Sequence, residues 1–137
     1  MRLLILLATA VVALVAATAA AAAWSVSRSG NGASRSRTMP AANGVPSGSV
    51  SSHDVTLTWS ASQFAGGGNV PGYVIKRYDA LTNAQQTVLS ACNGIVAATT
   101  CVEHSVPIGS WKYTVTPAAG AWRGTESAQS ATVLVLI

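Results

Sequence analysis

Charge is scarce in this chain. Only 9% of its 137 residues are charged, and just four are acidic: Asp54, Asp79, Glu103 and Glu126. Carboxylates so few and so scattered leave little material for the paired acids of a glycosidase. The one adjacent acid and imidazole, Glu103 and His104, point to opposite faces of a strand. Histidine and cysteine number two each, His53 with His104 and Cys92 with Cys101, and neither pair has the H-x-x-x-H or C-x-x-C spacing that ligates zinc. Serine and threonine abound, but no G-x-S-x-G elbow is present. Gly66-Gly67-Gly68 is followed by Asn69 rather than by Lys-Ser/Thr and a helix, so it reads as a flexible turn and not as a phosphate loop. Arg123-Gly124-Thr125 lacks the carboxylate of an Arg-Gly-Asp run. The reading is of a protein that is not an enzyme, with no cofactor and no metal.

Basic residues are also few. Beyond Ala23 there are seven against the four acids, and three of them, Arg28, Arg35 and Arg37, lie in one Ser/Gly-rich stretch. The pI near 9.6 therefore reflects mild charge on a linker rather than a face that tracks phosphates, which argues against nucleic acid as a partner.

Hydrophobic residues make up 50% of the chain, and the excess sits in residues 1–23. Met1-Arg2 precedes a run over 3–15 that is apolar but for Thr9, and 16–23 are small except for Thr18. These are the charged, hydrophobic and small-residue zones of a secretory signal peptide, with Ala21-Ala22-Ala23 offering a cleavage site before Trp24. The rival is a single-pass membrane anchor over residues 3–23, long enough to span a bilayer. Weakly apolar alanines, and arginines that would then lie outside against the positive-inside bias, favour cleavage. Residues 24–45 are rich in Ser, Gly, Ala, Arg and Asn and cannot bury enough to offset their ordering entropy, so a flexible linker is expected there.

From residue 46 to 137 the punctuation is all-β. Val55-Thr56-Leu57-Thr58-Trp59 alternates apolar and hydroxyl side chains, and 73–78 and 111–116 repeat that period of two. Strands are expected at about 48–51, 53–60, 72–79, 85–89, 99–104, 111–117 and 130–136, with connections at 61–71, 90–98 and 118–125. Seven short strands in about ninety residues are the size of one sandwich. Trp59, Tyr73, Ile75, Trp111, Tyr113 and Val115 fall on strand faces as its core.

The order Trp59, Gly72-Tyr73, Gly109-x-Trp111-x-Tyr113-x-Val115, Gly124-x-x-Ser127 resembles a fibronectin type III domain over residues 46–136. The resemblance implies a seven-stranded immunoglobulin-like sandwich with Trp59 and Tyr73 packed between its sheets. The first aromatic of the late strand, usually Tyr in that family, is Trp111 here, which leaves Trp111 and Tyr113 as candidates for the family's tyrosine corner. A cysteine pair is a further departure from typical members. The leader followed by Trp24-Ser25-x-Ser27 is similar to the start of small actinobacterial secreted proteins that carry one such domain.

Two cysteines behind an export signal, flanking one loop, predict a Cys92–Cys101 disulfide. The connections at 61–71, 90–98 and 118–125 are expected at one end of the sandwich, as recognition loops are in antibody-like domains. Phe64, Trp122 and Arg123 lie in them, and Trp and Arg dominate binding hot spots. A capping role for Trp122 over the open core is the alternative. The sequence thus reads as an exported, non-catalytic binding or adhesion module, secreted or at the cell surface, whose partner is a protein or a cell-wall glycan. Membrane contact is expected only if the leader is uncleaved, and the alternative function is a structural envelope or fibre component assembling through sheet edges. Cleavage predicts a mature amino terminus between Ala20 and Ser25, read by mass spectrometry of the released protein. Intact mass with Met1 retained in the membrane fraction would establish the anchor instead.

Overall fold

The structure, a computed structural model, describes residues 37–137. The leader and most of the expected linker, with Trp24, Arg28 and Arg35, lie outside the described residues. Two antiparallel sheets face each other. The first is ordered β1-β2-β6, from β1 (Asn43–Ser51), β2 (Asp54–Ser60) and β6 (Thr100–Glu103). The second is built on β3 (Gly72–Asp79) and β7 (Gly109–Ala119), which pair in register from Gly72↔Ala118 to Asp79↔Trp111. On the far side of β3 lie β4 (Gln85–Gln86) and β5 (Ile95–Val96), and on the far side of β7 lie β8 (Trp122–Arg123) and β9 (Val133–Val135).

Alternation decides what is inside. On β2, Val55, Leu57 and Trp59 are buried while Thr58 is exposed. Tyr73, Ile75, Trp111, Tyr113 and Val115 join them in one core. Trp59 meets Tyr73 edge to face with centroids 5.6 Å apart. The Tyr73 hydroxyl accepts from the Ser62 N–H at 2.7 Å, which ties the 61–71 loop to the core.

The corner belongs to Trp111. Its indole N–H donates to the Pro107 carbonyl four residues upstream at 2.8 Å, the backward bond of a tyrosine corner made with nitrogen. Gly109 is required beside it. Its φ is +155°, and a Cβ there would lie 3.1 Å from the Trp111 ring.

Tyr113 instead enters a buried polar network. The Arg77 guanidinium donates to the Glu103 carboxylate at 2.6 Å, and the Tyr113 hydroxyl donates to its other oxygen at 2.8 Å. The Leu89 N–H also donates to Glu103, and Arg77 donates to the Thr87 carbonyl. Arg77 lies 4.7 Å over the Trp111 ring. Burial, then the charge of Glu103, pushes the Tyr113 phenol far above its ordinary value, so it acts as a donor throughout the working pH range.

Several expectations change in the structure: the last strand is confined to Val133–Val135 rather than 130–136, and the expected connection at 118–125 holds the end of β7 and β8. The first strand starts at Asn43 rather than near 48, and Met39 and Ala42 pack against the core, so the end of the expected linker is part of the domain. The expected strand at 85–89 shrinks to β4, and the expected loop at 90–98 holds a 3-10 turn (Ser90–Cys92) and β5. The cause is the Cys92–Cys101 disulfide, Cα atoms 5.3 Å apart, which draws fully buried Cys92 toward β6 and bends the edge out between β4 and β5. As a result Cys101 sits opposite Leu57 in mid-strand, and the disulfide braces the flank of the sandwich rather than a loop at its end.

Glu103→Ala should cost about 3–5 kcal/mol in chemical denaturation, because it strands the Arg77 charge in the core. Replacing both partners, Arg77→Met with Glu103→Leu, should recover much of that loss. A single-mutant loss below about 1 kcal/mol would show that the pair does not clamp the sheets.

Candidate functional site

Three connections reach one end of the sandwich, here called the tip: 61–71 between β2 and β3, 97–99 before β6, and the β7–β8 turn at Gly120-Ala121. Trp122 follows that turn and is 70% exposed, so it does not cap the core. Arg123 pairs with Ala118 and Trp122 with Ala119, so their side chains leave opposite faces of the sheet. The Arg123 guanidinium donates to the Gly120 and Trp122 carbonyls at 2.6 and 3.0 Å. Phe64 is partly buried against the core, with the Arg37 guanidinium 5.3 Å over its ring. The three residues that the sequence points to for binding therefore do not form one patch: Trp122 is offered to solvent, Arg123 turns over the outer face, and Phe64 folds inward.

That outer face carries a cluster the sequence reading did not assemble. The Glu126 carboxylate accepts from Lys76 at 2.7 Å, from the Tyr78 hydroxyl at 2.9 Å and from the Thr114 hydroxyl. Partial burial pushes the Glu126 carboxyl up, but the bonds from Lys76, Thr114 and Tyr78 outweigh it and hold the carboxyl below its ordinary value. The bond to Glu126 correspondingly raises Lys76. Glu126 is placed by an interrupted edge. Between β8 and β9, the Ser127 and Ser130 N–H groups donate to the Val115 and Tyr113 carbonyls. Their hydroxyls accept the Val115 and Tyr113 N–H groups, each at 3.0 Å. Alternation along Lys76–Tyr78 and Thr114–Thr116 was the available signal for this face, but nothing in the spacing marks Glu126 as their partner.

The remaining acids are engaged as well. Asp54 meets His104 at 2.9 Å, and that bond, with the Ser105 N–H, lowers its carboxyl. Asp79 is lowered by the backbone N–H groups of Thr82 and Leu81 in the turn after β3. With Glu103 in the core, every carboxylate side chain in the sequence has a structural partner.

Known structures share this architecture. Domains A168–A170 of titin superpose with a TM-score of 0.59 and 18% identity over 72% of this chain and 33% of that one. Titin kinase with its flanking domains gives 0.58 and 19% over 73% and 18%. The kinase region of twitchin from C. elegans gives 0.55 and 16% over 70% and 17%. The fold is an immunoglobulin-like, fibronectin-type sandwich. The chain spans a third or less of each of those structures, and at such identities the likeness carries the fold alone. No family model matches the chain, and no curated protein does either.

The Glu126 cluster sets a pH dependence. A depressed carboxyl contributes stability fully above its ordinary value of 4.5 and loses it as pH falls through the lower folded value. Lys76 and Glu126 are each about a third exposed, so Glu126→Gln should cost only about 0.5–1 kcal/mol at about pH 7. Urea denaturation at a pH acid enough to protonate the carboxyl should find the two proteins equal. A difference that persists there would assign the effect to packing rather than charge.

Proposed function

We propose that this chain is an exported, non-catalytic binding module that presents the tip of a disulfide-braced sandwich to a protein or a cell-wall glycan. The observation that carries this reading is Trp122, a large ring 70% exposed on a tight hairpin whose strand is held to β7. A rigid aromatic on a short turn loses little entropy on binding, and such residues anchor hot spots. A further feature supports it: the disulfide suits an oxidising compartment outside the cytosol.

A second reading has its own observation. β1 is an edge strand of nine residues with no charged side chain and with Val45 and Val50 exposed, and charge is a common device that keeps edges from pairing. Assembly through that edge is the structural alternative.

Trp122→Ser distinguishes them. The binding reading expects stability within about 0.5 kcal/mol of the parent and loss of capture from cell-wall or culture-supernatant fractions. Unchanged capture would remove Trp122 from the contact. Concentration-dependent sedimentation abolished by a lysine at Val50 would favour edge assembly.

A further inference from the structure

A second surface, separate from Trp122, has the build of a ligand site. On the outer face of the six-stranded sheet two hollows of about 420 and 270 Å³ adjoin, and Val74, Lys76 and Arg123 line both. The larger runs to the sheet edge past the side chains of Gln85, Gln86, Thr87 and Asn93. The smaller ends on Thr116 and Glu126.

Thr116 is the independent sign. It lines the smaller hollow, its residue is 7% exposed, and its buried hydroxyl has no hydrogen-bond partner. Its neighbour on the same strand face, Thr114, uses its hydroxyl on Glu126. Native proteins rarely leave a buried hydroxyl unpaired, and this one meets a bound group once the Thr116 side chain rotates toward the hollow.

Charge defines what that group carries. Lys76 is paired with Glu126. Arg123 lines both hollows, donates to two backbone carbonyls through one nitrogen and has no carboxylate partner among the described residues, so it is the unneutralised cation of the groove. The wall beyond it is of neutral amides and hydroxyls, which both donate and accept. β3 pairs with β7 along its whole length and on the other side with β5 and β4, which leaves only Ile75 and Lys76 without an edge partner, too short a ladder for an extended peptide.

We propose that this groove binds a short polyhydroxylated chain bearing one anionic group per repeat, a carboxylate or a phosphate. Arg123 takes the anion, Thr116 receives a hydroxyl at the inner end, and the Gln85–Thr87 wall pairs the hydroxyls that follow. The proposal rests on the binding-module reading but uses a different surface from Trp122, so the two can fail separately.

The test is an NMR titration of the ¹⁵N-labelled full chain with trigalacturonate, a glycerol-phosphate trimer, maltotriose and triglutamate. Saturable shifts centred on Val74, Lys76, Thr116 and Arg123 are expected with trigalacturonate or the glycerol-phosphate trimer, and whichever binds identifies the anion as carboxylate or phosphate. Maltotriose should bind about tenfold more weakly, the factor that a charge-assisted bond supplies. Arg123→Gln should weaken the anionic ligand about tenfold and Thr116→Val severalfold, while Trp122→Ser leaves the titration unchanged. Should Thr116→Val not fold, exposed Arg123 still carries the test. Equal binding of maltotriose, tighter binding of triglutamate, or the absence of shifts on this face would overturn the proposal. Absence of shifts with Trp122-dependent capture retained would leave the binding module standing, whereas loss of both would end both readings.

Discussion

The bond between Arg77 and Glu103 is the constraint on which the rest of the domain depends. Glu103 comes from the three-stranded sheet, and Arg77 and Tyr113 come from the six-stranded one, so a single carboxylate joins the layers across the core. Burying two charges is costly unless their hydrogen bonds are nearly complete. Here Glu103 accepts three donors and Arg77 finds a second acceptor at Thr87, with its Nε left unpaired. Hydrophobic contacts would tolerate a small slide of one sheet over the other, whereas this network has one satisfactory arrangement. It also explains why a strand as short as β6 suffices: Cys101 and Glu103, two residues apart, face the core together and anchor both the bent edge and the opposite sheet.

The serines at 127 and 130 solve a related problem at the other edge. Where the last strand leaves the ladder between β8 and β9, β7 would lose partners for its N–H groups. The two hydroxyls accept those bonds and donate in turn to the Ala128 and Ala131 carbonyls. Satisfying the backbone with side chains frees this segment from strand geometry. It can then lay Glu126 across the outer face, where Lys76, Tyr78 and Thr114 converge on it.

How much of this was legible beforehand depended on the range of each signal. The β2 alternation, the bounds of β3 and the aromatic core follow from local periodicity, and the disulfide follows from having only two cysteines. The Arg77–Glu103 pair was not legible, because a charged residue on a strand reads as outward-facing until its partner across the core is known. The same applies to Glu126, fifty positions from Lys76. The expected loop at 90–98 failed for a different reason. The disulfide draws Cys92 toward β6 while β5 returns to β3, so the edge is two short strands joined through a 3-10 turn rather than a strand and a loop. At the tip, Trp122 and Arg123 were expected in a connection at 118–125 but form β8, and the register that sends them to opposite faces could not be read from their adjacency.

The start of the domain also sets its response to tension. Pro40 lies so close to Gly124 that a Cβ there would collide with its carbonyl oxygen, and the Ala42 N–H donates to the Thr125 carbonyl. The chain therefore joins the sandwich at the tip, runs down β1, and departs at the base after β9. A pull between the two ends runs parallel to the strands and perpendicular to the β1–β2 hydrogen bonds, which must then shear together rather than unzip in sequence.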